Sequence, residues 1–159
     1  MGDMAVAAQL TKYLATHGAT YDVVEHQPTI SAKETAQQAR IPSDRMLKAV
    51  LLRDKHSYVL AVLPASERLN LGRIRISLDR RVRLATEEEI AKVLSDCEPG
   101  AIPAIGAAYN LDMLVDDTLG NRSDVYFEGG DHRSLIHMNG AEFLQLAASA
   151  RHERLGLPA

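Results

Sequence analysis

Two apolar runs joined by a short polar turn restrict what this chain can fold into. Met46-Leu47-Lys48-Ala49-Val50-Leu51-Leu52 and Tyr58 to Leu63 flank a turn at Arg53-Asp54-Lys55. Segments of this length, apolar on both faces, read as strands buried within a sheet. A connection this short makes them an antiparallel hairpin at its centre. One residue breaks the pattern. Lys48 lies inside the first run, where an ammonium is costly unless something anionic meets it. It can snorkel, with Asp54 or Glu67 as neutralising partner, which is the commoner fate of a single lysine near a strand end. It can also sit at the mouth of an apolar pocket and bind an anion or a carbonyl.

The remaining segments give a mixed α/β order. Val6, Leu10, Tyr13 and Leu14 recur at helical spacing, so a helix is expected over about 4–17, stopped at Gly18. Tyr21 to His26 alternates like a strand and ends at Gln27-Pro28. Ser31 and Glu34 form a capping-box pair for a helix that Ala36, Ala39 and Arg40 carry to Ile41-Pro42. Leu69, Leu71, Ile74 and Leu78 suggest a short helix among Arg73, Arg75, Arg80, Arg81 and Arg83. That charge run reads as a solvated face, with a phosphate track as the rarer alternative. Thr86-Glu87-Glu88-Glu89 opens another helix, its acids suited to the positive dipole end. A loop rich in glycine and proline follows, Glu98 to Gly106. Strands are expected at Met113–Val115, Val125–Phe127 and Leu135–Met138, with a turn at Glu128-Gly129-Gly130-Asp131-His132. Asn139 caps a last helix, and the tail from Arg151 reads as frayed.

At 159 residues the chain fits a single domain, 1–159. Charged residues are 25% and the net charge is -3, so no global basic field advertises nucleic acid, although a local cluster can still meet the end of one. One cysteine, Cys97, excludes an internal disulfide framework and suits a reducing compartment. No apolar run approaches the roughly 18 residues of a membrane helix, and Met1 to Leu10 lacks the pattern of a secretory signal. A cytoplasmic protein without membrane contact is the expectation.

Signatures of common chemistries are missing. His132 and His137 are no HExxH pair, and Cys97 has no cysteine partner for a metal, so no metal site is expected. There is no Walker loop and no GxSxG elbow. Cys97 reads as a small packed hydrophobe before it reads as a nucleophile. Three elements remain: Lys48, the Gly100–Gly106 loop and the Gly130-Asp131-His132 turn. Glycines let a backbone approach a ligand closely and aim N–H groups at its oxygens. Prolines stiffen the same loop, and a histidine can exchange a proton near neutral pH. Such a set, without nucleophile or metal, suits hydrolysis of an already activated ester.

In order along the chain stand Glu25-His26 with Thr29, then Lys48-Ala49-Val50-Leu51, then Gly100-Ala101-Ile102-Pro103-Ala104-Ile105-Gly106, then Gly129-Gly130-Asp131-His132. This series, spanning Leu10 to Leu146, resembles the YbaK-type aminoacyl-tRNA deacylases, relatives of the editing domain inserted in bacterial prolyl-tRNA synthetase. The resemblance implies an α+β fold with a mixed, barrel-like central sheet flanked by helices. It implies hydrolysis, without a cofactor, of the ester joining a wrong amino acid to tRNA. The partner implied is the aminoacylated tRNA 3′ end, with an aminoacyl-tRNA synthetase as a further one. Lys48 matches an active-site lysine near the tRNA 3′ end. The loop at Gly100, Ala101, Ile102, Pro103 and Ala104 matches the one that helps hold the aminoacyl group. His132, in the turn with Gly130 and Asp131, matches a pocket histidine of the synthetase-borne relatives, and His26 and Thr29 belong to the substrate side. One position departs: Ala104 stands where the family's Gly-x-x-x-Pro loop has its proline.

These residues give a mechanism to test. Lys48 meets a phosphate or ribose oxygen, backbone N–H groups around Gly100–Ile102 steady the developing oxyanion, and a water attacks near His132. No side chain stands out as general base, which leaves a substrate hydroxyl for that task. The alternative is a non-catalytic module that binds a tRNA end, a nucleotide or a synthetase.

Overall fold

The computed structural model describes residues 6–27 and 31–158. Helix α1 (Ala8–Thr16) buries Leu10 and Leu14 on one face. Strand β1 (Asp22–Glu25) and helix α2 (Ala32–Gln38) follow, and the Ser31 hydroxyl caps α2 by accepting from the Glu34 N–H at 3.1 Å. The expected hairpin is β2 (Leu47–Arg53) and β3 (Tyr58–Pro64), in a register that runs from Leu47 opposite Pro64 to Arg53 opposite Tyr58. Then come β4 (Glu67–Leu69), α3 (Leu71–Leu78), β5 (Arg83–Leu84) and α4 (Glu87–Val93), the last opened by a complete capping box between Thr86 and Glu89. The second half supplies β6 (Asp112–Asp116), β7 (Asp124–Glu128), β8 (Ser134–Asn139), α5 (Gly140–Leu146), β9 (Arg151–Glu153) and β10 (Gly156–Pro158).

The strands form a mixed five-stranded sheet, β5-β2-β3-β6-β9, a three-stranded sheet, β1-β8-β7, and the ribbon β10-β4. β3, β6 and β9 are mutually parallel, while the hairpin is antiparallel. A parallel bridge between Met46 and Tyr126 joins the two larger sheets, which together give the barrel-like curl. Between the sheets lies the main core, with Leu47, Leu51, Val62, Val115, Val125, Phe127 and Phe143. Residues of the other parity on β2 serve two smaller clusters: Leu52 packs with Ile74 and Leu155, and Met46 with Ala36 and Leu135. Two-sided burial of the hairpin is thus met by covering layers. None of the helices in the described residues is long and apolar enough to cross a membrane.

Two sequence expectations need correction. Leu69 belongs to β4 and precedes α3, whose cap is the Asn70 side chain accepting from the Arg73 N–H. The tail from Arg151 is ordered as β9 and β10, not frayed. A residue far away explains it. The Asp116 carboxylate, with no exposed surface, accepts from Leu155 N (2.8 Å), Gly156 N (3.1 Å) and Arg154 Nη1 (2.9 Å), and from Thr118 N and Oγ1. A buried anion with that many donors fixes the segment against β6. The arginine run is largely paired on the surface: Arg80 with Asp54, Arg83 and Arg53 with Glu89, Arg75 with the Val82 carbonyl.

Candidate functional site

The turn between β7 and β8 is built around Asp131. Its carboxylate accepts from the Arg133 and Ser134 N–H groups (2.9 and 2.7 Å) and the Ser134 hydroxyl (2.9 Å). Gly130 has φ +110°, and a Cβ there would lie 2.8 Å from the Ala7 side chain, so only glycine fits. His132 adopts the left-handed conformation at φ +62°, uncommon outside glycine. That backbone turns its imidazole back onto the glycine and proline loop, where Nε2 donates to the Pro99 carbonyl. The ring covers Gly100: a Cβ at that position, where φ is +81°, would stand 3.2 Å from His132 Cε1. The Glu98 N–H donates to the Gly130 carbonyl at 2.7 Å, a second stitch between loop and turn. Gly100, Gly130, Asp131 and His132 are therefore one structural unit.

Within the loop the roles divide. Ala101, Pro103 and Ala104 are buried, and Ala104 packs into the main core. Where the resemblance places a proline, the chain thus uses a small core residue. The Ala101 N–H donates to the Glu98 carbonyl at 3.1 Å, and among the described residues the Gly100 and Ile102 N–H groups make no such loop bond. Ile102, Gly100, Pro99, Cys97, Ala91 and Ile90 line a cavity of about 270 Å³. Burial pushes the Cys97 thiol up to about 12 despite a hydrogen bond with Tyr109. A thiol so protonated is a poor nucleophile at neutral pH.

Glu128, read in the sequence as part of a turn, is a buried acid behind that unit. Its Oε2 takes a long contact from the Thr35 hydroxyl at 3.4 Å, and its Oε1 lies 3.6 Å from His26 Nε2. The side chains of His26 and Glu128 are 1% and 8% exposed. Burial raises the Glu128 carboxyl to about 7, while the nearby His132 pulls it back and Asp131 adds to the rise. His26 is anchored through its own N–H to the Arg133 carbonyl at 2.8 Å and through Nδ1 to the Gln27 carbonyl at 2.7 Å. A cavity of about 380 Å³ opens beside it, bordered by Gln38, Ala39 and Arg133. Thr29 lies outside the described residues.

Lys48 stands on β2. Burial lowers its pKa and Glu67 raises it, so Glu67 is the neutralising partner; Asp54 is taken by Arg80. Lys48 shares its strand parity with Met46 and Leu52, and so points away from the cluster that holds Ala104. The structure thus joins Gly100, Gly130, Asp131 and His132 by direct contact and adds His26 through Glu128. Among the described residues, no hydrogen bond or ion pair ties Lys48 to this set; its electrostatic partner is Glu67.

A family model for the aminoacyl-tRNA editing domain matches residues 26–146. The chain belongs to the aminoacyl-tRNA editing domain family. Every residue of the site above lies within the matched range. Among solved structures, this editing domain is similar to a candidate trans-editing enzyme for prolyl tRNA synthetase, at 26% identity and a TM-score of 0.83, covering 96% of this chain and 97% of that one. It shares its fold with a hypothetical protein at 22% identity and TM-score 0.82, over 94% and 99% of the two chains. It also shares it with 31% of a longer chain from Marinobacter aquaeolei, described as a candidate signal transduction protein, at 20% identity and TM-score 0.76, over 96% of this chain. No curated protein sequence matches the editing domain at a significant level.

Proposed function

We propose that this domain hydrolyses, in trans, the ester bond of a mischarged aminoacyl-tRNA. Family membership carries the reading, and the unit of Gly100 and His132 supports it. The terminal adenosine binds beside the Gly100–His132 unit. Lys48 meets the terminal phosphate or a ribose oxygen through a charge-assisted hydrogen bond. The Gly100 and Ile102 N–H groups face the ester carbonyl and stabilise the oxyanion that forms as water attacks. His132 holds Gly100 in place through its contact with the loop. The link of a 26%-identical relative to prolyl tRNA synthetase makes mischarged tRNA for proline the first substrate to try.

The test is a panel of tRNAs, each charged with a wrong amino acid, incubated with the full chain and assayed for free amino acid. Release from at least one of them is the expected result. Binding of uncharged and charged tRNA alike, with no release from any, would replace the hydrolase by a binding module.

A further inference from the structure

Three buried polar atoms converge behind the Gly100–His132 unit with no hydrogen-bond partner among the described residues: Glu128 Oε1, His26 Nε2 and His132 Nδ1. Leaving such atoms unmet inside a protein is costly. A carbonyl only accepts, so His26 Nδ1, bonded to the Gln27 carbonyl, and His132 Nε2, bonded to the Pro99 carbonyl, each carry a proton. His26 Nε2 and Glu128 Oε1 face each other across 3.6 Å, too far for a direct hydrogen bond. What fits between such a pair is one small molecule that bonds to both. A water about 2.8 Å from each atom spans that separation.

Resting on the deacylase reading, we propose that Glu128 and His26 form the water-activating pair of this domain. The water they hold attacks the ester carbonyl carbon, and its proton passes to the Glu128 carboxylate as the new C–O bond forms. The tetrahedral intermediate collapses, the bond from carbon to ribose oxygen breaks, and that oxygen takes the proton back from Glu128. The products are tRNA with a free ribose hydroxyl and the amino acid, whose carboxylic acid loses its remaining proton to solvent. Glu128 touches the reacting water and is a catalytic residue in this scheme. The groups facing it are Thr35 from α2, His26 from the end of β1, and His132 and Asp131 from the turn. His132 and Asp131 act on its charge in opposite directions. A carboxyl titrating near 7 is suited to this task, since a base close to the working pH both accepts and returns a proton readily.

The experiment is single-turnover deacylation of whichever charged tRNA the wild type hydrolyses, from about pH 5.5 to about pH 8.5, comparing Glu128→Gln, Glu128→Asp and His26→Gln. The wild-type rate should fall below an inflection near pH 7 as Glu128 takes up a proton. Glu128→Gln should be slower by on the order of a hundredfold, with KM little changed and the inflection lost. Glu128→Asp should restore the inflection at a reduced rate. His26→Gln should keep the inflection and lose roughly tenfold in rate, because it removes one of two anchors and leaves the base. A folded Glu128→Gln protein with the wild-type rate and profile overturns the assignment and leaves the deacylase reading standing. If that variant does not fold, a Glu128→Asp profile with no inflection overturns it equally. A wild type that releases nothing from any charged tRNA removes both the reading and the assignment.

Discussion

Asp116 and Glu128 are both buried carboxylates at the ends of core strands, and the fold treats them in opposite ways. Burial raises the pKa of Asp116 too, but the donors from Thr118, Leu155 and Arg154 outweigh it and hold the carboxyl below the ordinary aspartate value. Glu128 has burial without that compensation, apart from the long Thr35 contact and the field of His132, and stands at about 7. The first is a fastener: satisfied, anionic and structural. The second is a buried acid whose charge is left largely uncompensated, the usual mark of a group kept for chemistry. Buried charge by itself therefore says little; the number of donors aimed at it separates the two roles.

The largest test of this contrast is Asp116→Ala. It removes the acceptor of Arg154, of three N–H groups and of the Thr118 hydroxyl, and is expected to cost on the order of 3–5 kcal/mol. Urea unfolding would register it as a lower midpoint, with β9 and β10 losing amide protection first. Glu128→Gln should do the reverse. Because the folded carboxyl holds its proton up to about 7 against an ordinary 4.5, its stabilising share is complete below about 4.5 and lost as pH rises through about 7. Above neutrality the glutamine variant escapes that penalty and should be the more stable protein by about 2–3 kcal/mol. Equal unfolding midpoints for wild type and variant at pH 8 would show Glu128 to be as well satisfied as Asp116.

Lys48→Ala tells which of the two regions the lysine serves. Glu67, its electrostatic partner, also pairs with Arg154 at 3.3 Å in the Asp116 network, whereas the proposed function puts Lys48 at the tRNA end. The expected result is deacylation slower by an order of magnitude or more, from loss of an oriented charged donor worth about 1.5–3 kcal/mol, with little change in stability. A stability loss at unchanged turnover would assign it to the fastener instead. The smallest effect belongs to Gly100→Ala. A left-handed φ and a ring 3.2 Å away should cost about 1 kcal/mol in unfolding. The displaced His132 would shift the inflection of the pH–rate profile.

Much of this could be read from the sequence, for local reasons. The β2–β3 hairpin follows from two-sided apolarity around a short turn, and α4 from a capping box, both decided within a few residues. The tail could not be read this way. Arg151 to Pro158 has no periodicity of its own, and its order comes from Asp116, 39 residues before Leu155. Glu128 was missed for a related reason. Placed after Val125-Tyr126-Phe127 and before two glycines, it resembles the first polar residue of an exposed turn. Its burial is made by α2 and His26, from far along the chain. A signal was present: β7 is apolar on both faces, so a charge closing it invited the same question that Lys48 raised in β2.

The fastening of Asp116 also sets a timetable. Ribosomes deliver the chain from its N-terminus at ~5–20 residues per second, so this carboxylate waits a few seconds for Leu155 to be made. Over that interval β6 lacks its outer neighbour β9. A nascent chain stalled short of residues 154–156 would offer chaperones and proteases an open parallel edge beside an unanswered charge. Completion of this sheet is thereby reserved for a chain whose translation has passed that point.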